Sequence, residues 1–351
     1  MLHSADSHIL EPVDLWLENM PASLRDLAPQ THKEQRRGRP QEVIYVDGKV
    51  ARYEPPGLQE QTRPPNAFDP VKRLEDLDSQ GIWAELLFPS VGLWCSLIET
   101  REVALEAAKA YNDWQADTFL RTSPRYIGAA MIPIVDVNDA IAEVERSLGL
   151  GYPAALLPAT PPVPYNDELY EPLWALLAES GMHPCLHIGT GMDPMVTRGQ
   201  GGAIINYVET LFPLQRAALH LVAAGVFDRH PDLHLVCVEG GASWLPGLIE
   251  RMDEAARSHA DWVKPKLSRP PSEIIRTNVH ATFQNDKAIL LTLDVTGVPS
   301  LLWGSDYPHL EGTWPRTQQV LDDIFGDTDD DIRARITGGT MAELFGIEVP
   351  A

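Results

Sequence analysis

Short, unbroken apolar runs alternate with longer stretches of helical periodicity along most of the chain. Eight such runs lie at 2–6, 82–90, 125–133, 153–159, 183–189, 233–241, 278–284 and 299–308. Each is continuously apolar rather than alternating, the pattern of a strand covered on both faces. Between them, 101–122 keeps apolar residues at helical spacing and stops before Pro124. The segment 136–149 opens on Asp136 as a cap and ends on Gly149, and 166–181 runs in the same way from Asn166 to Gly181. Eight strands with helical crossovers predict an α/β fold, a closed parallel (β/α)8 TIM barrel, with 1–351 as one domain. A last amphipathic stretch, 330–347, is expected to pack on the barrel's outside.

One region breaks the rhythm. Residues 31–66 are charged and proline-rich around VIYVDGKVARY, where Asp47-Gly48 between β-formers predicts a hairpin turn. Inserted after the first strand, this region leaves the face on which barrel enzymes build their sites. A lid or a subunit interface is the functional expectation, and a plain surface insertion is the alternative.

Composition narrows the partners. The 351 residues carry a net charge of −22, which repels phosphate backbones and anionic membranes, so nucleic-acid binding is not expected. The three cysteines, Cys95, Cys185 and Cys237, are odd in number and widely spaced, as in reduced thiols of a cytoplasmic protein. No apolar run approaches the roughly 18 residues of a membrane span, and no signal-peptide h-region precedes Asp6. The expectation is a soluble protein without a classical secretion signal, taking a small-molecule substrate.

Side chains at the C-terminal ends of barrel strands converge on one mouth. Asp6 and His8 end the first predicted strand, His187 the fifth, Glu239 the sixth and Asp306 the eighth, with His309 three residues later. All six fall at the same end, and carboxylates clustered there would be costly without a cation. A divalent-metal site is therefore expected from Asp6, His8, His187, Glu239, Asp306 and His309, with Asp306, Glu239 and His309 also catalytic. His3, His183, His220, His230, His234, His259 and His280 fall at strand starts, in helices or in loops and are not expected to be ligands. A nucleophile elbow, a phosphate loop and a Cys-x-x-Cys pair are all missing from the sequence. Phe88, Trp94, Trp244, Tyr307 and Trp314 are candidates for an apolar pocket, and Arg52, Arg63 and Arg316 for binding a carboxylate.

At DSHILEPVDLW, PVKRLEDLDSQGI, RYIGAAMIPIVD, LYEPLWALLAESGMHPCLHIGTG, GVFDRHPDLHLVCVEGGASWLPGLIERMD and WGSDYPHLEGTWP the sequence resembles the amidohydrolase-related branch of metal-dependent barrels. That branch contains aminocarboxymuconate-semialdehyde decarboxylase, and the likeness spans nearly the whole chain. It implies metal-ligand roles for Asp6, His8, His187 and Asp306, and a homodimer or larger assembly. Two departures stand out. The decarboxylases commonly open with His-x-His or Glu-x-His, where this chain has Asp6-Ser7-His8. They also carry a functional histidine at the end of strand six, where this chain has Glu239.

Three carboxylates and three imidazoles exceed the needs of one tetrahedral zinc and suit iron or manganese. VEGGASW and SDYPHLEGTWP further resemble an offshoot of dinuclear-iron monooxygenases on this barrel, of the ent-kauranol hydroxylase type. The preferred reading is thus O2-dependent hydroxylation of a small apolar or terpenoid-like substrate at two irons, fed by an external reductant. The alternative, close behind it, is a mononuclear zinc or manganese hydrolase or non-oxidative decarboxylase of an organic acid. A non-catalytic barrel acting as a structural partner is the third reading.

Overall fold

The computed structural model describes all residues except Arg37, 55–63, 193–198 and 349–351. Eight parallel strands form one sheet in the order β1 (Leu2–Ile9), β5 (Ile82–Pro89), β6 (Tyr126–Met131), β7 (Ala154–Thr160), β8 (His183–Gly191), β9 (Leu235–Val238), β10 (Val279–Phe283) and β11 (Leu301–Trp303). All eight expected strands are present, and the sheet curls into the predicted barrel. The seam between β1 and β11 is joined by a Ser7–Tyr307 bridge, with His8 N–H donating to Tyr307 O at 2.6 Å and Asp306 N–H to Asp6 O at 2.8 Å.

The strand bounds move by a few residues. β1 runs on to Ile9, so Asp6 and His8 lie inside the strand rather than at its end. Its pairing with β5 shifts between Ser4 and Ser7, a bulge of one residue. Strict alternation would place Ala5 and His8 on opposite faces; the extra residue lets Ala5 fill the barrel interior while His8 turns to the mouth. β11 is short, and Asp306 stands three residues past its end.

The helix Val137–Leu150 has the expected Asp136 cap, which accepts from Asn138 N–H and Asp139 N–H. It ends on Gly151 in the left-handed region rather than on Gly149. The third expected helix is shorter, Glu171–Ser180, entered through a 3-10 turn and closed by Gly181.

The C-terminal segment 330–347 does not lie on the barrel's outside. Met341 and Phe345 join Ala5, Leu86, Ala129, Cys185 and Val236 in the interior cluster and plug the N-terminal end of the barrel. Amphipathicity shows that one face is buried but not against what, and here the open end of the barrel offers the larger apolar surface. His183, His234 and His280, each within one residue of the starts of β8, β9 and β10, gather at this end, where the His183 ring packs on Phe345.

The insertion is a three-stranded antiparallel sheet, β2 (Gln30–Arg36), β3 (Arg39–Val46) and β4 (Lys49–Glu54). Asp47 and Gly48 form the predicted turn with φ of 53° and 68°, the doubly left-handed conformation that matches strand twist. Val43, Ile44 and Val46 are buried. The Asp47 carboxylate accepts from Glu99 N–H and Thr100 N–H, tying the sheet to the chain just after the turn Val91–Leu97 that follows β5. Among the described residues no helix is long and apolar enough to cross a membrane.

Candidate metal centre

Six side chains meet at the C-terminal mouth in two overlapping groups able to hold a metal. One is Asp6, His8, His187 and Glu239, and the other is His8, Glu239, Asp306 and His309. These are the six residues expected from the sequence. Asp6, His8 and Asp306 are fully buried.

The imidazoles are set by their outer nitrogens. His8 Nδ1 lies 2.7 Å from Pro89 O, and His187 Nδ1 lies 3.0 Å from Ile188 O. A carbonyl can only accept, so both Nδ1 atoms carry hydrogen and each ring turns its Nε2 inward. The two Nε2 atoms are 3.1 Å apart. Around His8 Nε2 stand Asp6 Oδ1 at 3.7 Å, Glu239 Oε2 at 3.7 Å and Asp306 Oδ1 at 3.6 Å. Glu239 Oε2 is 3.2 Å from His187 Nε2, and Asp6 Oδ1 is 3.7 Å from it. Two inward Nε2 atoms inside a ring of carboxylate oxygens are stable only around positive charge, a proton or a metal ion.

The titration behaviour has the same sense. Burial, reinforced by Glu311, raises the Asp6 pKa against the opposing pull of His187. Burial, opposed by His187 and aided by Asp6 and Glu311, pushes Glu239 up to about 8. Burial works to lower the His187 pKa, but the carboxylates of Asp6 and Glu239 outweigh it and raise it. Each shift is that of a site seeking positive charge, and a divalent metal fits this donor set.

The backbone is forced into place here. Glu239 and Asp306 sit at φ of 64° and 53°. Left-handed backbone at a residue other than glycine costs on the order of 1–3 kcal/mol and persists where surrounding contacts hold it. Glu239 N–H donates to Thr282 Oγ1 at 2.7 Å, and Asp306 Oδ1 accepts from His309 Nδ1 at 2.8 Å. Gly304 is needed for the approach of β11 to β1, because a Cβ there would lie 2.5 Å from Asp6 Cβ.

Several contributors escape sequence reasoning. Gln284 donates to Asp6 Oδ2 at 3.2 Å. Glu311 adds negative charge to both Asp6 and Glu239. Beneath the mouth, fully buried Arg73 grips Glu85 through Nε at 2.5 Å and Nη2 at 3.0 Å, and donates from Nη1 to His8 O at 2.8 Å. It also lies 4.5 Å from the Tyr307 ring. Only the i, i+12 spacing of Arg73 and Glu85 marks this pair in the sequence, and that spacing carries no signal.

Of the aromatic candidates, Phe88 reaches the metal-facing rings, 5.2 Å from His187 and 6.3 Å from His8. Tyr307 turns away, its hydroxyl bonded to Asp76 and its ring against Trp314. Trp94 lies under Arg52, which pairs with Glu54 in the insertion, and Trp244 bonds Gly241 O. These four candidates are held by packing rather than by a pocket, and Arg52 is spent within the insertion. Arg63 lies outside the described residues.

The gamma-resorcylate decarboxylase of Rhizobium radiobacter is 27% identical over 258 residues, 67% of this chain and 76% of its own length. The 2-amino-3-carboxymuconate-6-semialdehyde decarboxylase of Dictyostelium discoideum is 23% identical over 81% of this chain and 78% of its own. Among solved structures, an amidohydrolase from Mycobacterium avium subsp. paratuberculosis superposes with a TM-score of 0.80 at 20% identity, covering 100% of this chain and 99% of its own. A dihydroxybenzoic acid decarboxylase from Polaromonas sp. JS666, with bound manganese and 2-nitroresorcinol, gives 0.68 at 19% identity over 99% and 98%. These findings overturn the expectation of O2-dependent hydroxylation at two irons. The relatives are decarboxylases, the neighbour's metal is manganese, and loss of CO2 calls for neither O2 nor a reductant. A carboxylate-rich donor set accommodates several divalent metals, so it could not single out iron. The amidohydrolase family matches over residues 7–347. The chain belongs to that amidohydrolase family, as a metal-dependent enzyme on its barrel.

Proposed function

We propose that this protein is a metal-dependent, non-oxidative decarboxylase of an aromatic carboxylic acid. The observation that carries the reading is the pair of inward Nε2 atoms 3.1 Å apart within a ring of carboxylates. The likeness to gamma-resorcylate decarboxylase over 67% of the chain supports the choice of reaction.

Asp6, His8, His187 and Asp306 are assigned as the ligands, with Glu239 and His309 completing the mouth. A divalent cation held by these residues would supply Lewis-acid polarisation of the substrate's carboxylate. The C–C bond to the carboxylate breaks, its electron pair stays on the ring carbon, a proton takes the vacated position, and CO2 leaves. His309 is assigned the proton. Its ring is fixed by Asp306 and lies 4.1 Å from the His8 ring, tilted by 33°, yet its side chain keeps 19% exposure for reprotonation from solvent. Glu239 stands where the resemblance places a functional histidine and is assigned to hold the bound acid in line with His187. The insertion sheet, pinned beside the mouth through Asp47, is assigned as a rim that shields the substrate from water.

The test is CO2 release from 2,6-dihydroxybenzoate, 5-carboxyvanillate and related acids by manganese-loaded protein under nitrogen. Release that persists without O2 and stops on chelation is expected. O2 consumption coupled to hydroxylation of the same acids, with no CO2, would overturn the assignment. His309→Asn should retain manganese, and its much reduced turnover should lack one limb of the pH–rate profile.

A further inference from the structure

A cavity of about 50 Å³ lies between the upper ends of β6 and β7, the turn Val91–Leu97 and the helix Arg101–Gln115. Its inner wall is Met131, Leu156 and Pro158. Pro158 is the register partner of His187, and Leu156 that of Cys185, whose side chain faces the barrel interior. The wall therefore begins one strand spacing, about 4.8 Å, from a proposed metal ligand. On the far side it is closed by Ile98, Ala104 and Ala108. Leu93 and Leu156 pack in the same interior cluster as Phe88, whose ring lies against His187. Val135, an exposed lining residue in the loop after β6, marks the same face of the barrel as the metal centre.

The polar atoms on this wall are already used. Thr190 Oγ1 donates to His187 O at 2.5 Å and accepts from Ala159 N–H at 2.8 Å. Ser96 Oγ donates to Leu93 O at 2.6 Å and accepts from Gly191 N–H at 2.8 Å. Cys95 is buried, and desolvation holds its thiol protonated and neutral. No lysine or arginine lines the cavity among the described residues. A carboxylate, phosphate or hydroxyl placed here would lose its hydration and gain no partner. Size adds a second limit, since the volume is well below the ~150 Å³ that accepts benzene.

We propose that this cavity receives a short alkyl substituent of the substrate, making the acid that is decarboxylated a ring-alkylated aromatic monocarboxylate. The inference rests on the decarboxylase reading and narrows it to a substrate class. One end of the molecule is anchored by its carboxylate at the mouth. The other is selected by apolar contact, and a second carboxylate on that side is excluded. Each methylene that enters the cavity raises kcat/KM about fourfold, from the transfer of one CH2 out of water. Growth stops when the volume is filled, so butyl or phenyl reverses the gain.

The experiment uses manganese-loaded protein and 2-hydroxybenzoates alkylated at each free ring position in turn, from hydrogen to butyl, with a phenyl member. CO2 release and calorimetric binding are both recorded. A rise of roughly tenfold or more in kcat/KM up to ethyl or propyl at one ring position, then a fall, is expected. In Ala108→Leu or Ala104→Leu, the ratio of alkylated to unsubstituted kcat/KM should collapse toward unity whatever the basal rate. CO2 release with no dependence on alkyl length at any position overturns the cavity's role and leaves the decarboxylase reading standing. If no acid loses CO2, the reading fails by itself, and the length dependence of calorimetric binding still decides the cavity. Flat binding across the series overturns it without recourse to any variant.

Discussion

Arg73→Met removes the buried cation that organises the floor of the metal centre. Arg73 and Glu85 are both wholly buried and bonded through two nitrogens, while the third guanidinium nitrogen holds the His8 carbonyl. Deleting the arginine strands the Glu85 carboxylate in a low-dielectric interior, which costs about 3–5 kcal/mol. Stability of folded chains is of order 5–15 kcal/mol, so the variant should fold at room temperature but with a large part of its margin gone. With an unfolding entropy near 2.1 cal/mol/K per residue over 351 residues, the loss corresponds to a melting shift of roughly 4–7 °C. Calorimetry on manganese-loaded and chelated protein separates the two consequences. Arg73→Met/Glu85→Leu replaces the pair with apolar groups and should recover at least half of the shift. It should not recover manganese affinity, because the His8 carbonyl still lacks its donor. A single variant melting within about 1 °C of wild type, or a double variant no better than the single, would refute the reasoning.

Protonation of the histidines at the N-terminal end should govern acid stability. Burial lowers His3 and His183 to about 4, each with a nearby positive charge adding to the effect, and His280 to about 3, from an ordinary 6.5. A histidine depressed in the folded state contributes stability that is complete above pH 6.5 and lost as pH falls toward the folded value. Urea midpoints should therefore fall between pH 6.5 and 4, by on the order of 1–3 kcal/mol per group, and His280→Gln should flatten the slope. Gly304→Ala places a methyl 2.5 Å from Asp6 Cβ; about 1–3 kcal/mol of destabilisation is expected, together with reduced manganese retention in elemental analysis. Asp47→Ala loses both the left-handed turn and the bonds to Glu99 and Thr100 and should cost about 2 kcal/mol by chemical denaturation. Asp47→Gly, which keeps the turn, should cost visibly less.

The barrel was legible because its strands are buried on both faces and so appear as unbroken apolar runs, whereas β2 was not. Gln30–Arg36 reads QTHKEQR, a strand exposed along most of its length that pairs through its backbone and leaves no hydrophobic signature. The six mouth residues were legible because parallel strands put every C-terminal end on one face, which makes position along the sequence a guide to position in space. Gln284 follows the last residue of β10 on the same face, but a lone amide is a common structural group and carries no signature of a metal site. Arg73 was hidden by its helix. RLEDLDSQ looks like a solvated surface, and nothing local tells a buried guanidinium from an exposed one. The reaction was misread for a different reason. Donor types constrain which ions bind, while the chemistry performed depends on where the substrate lies, and strand-end residues carry little of that.

The central claim is that the mouth residues hold a divalent cation. The most direct measurement is manganese retained per chain after dialysis, by elemental analysis, in the wild type and in His8→Ala/His187→Ala, with circular dichroism establishing that both are folded. The account predicts near-stoichiometric manganese in the wild type and almost none in the double variant. Equal retention in the two proteins, or none in either, would contradict it.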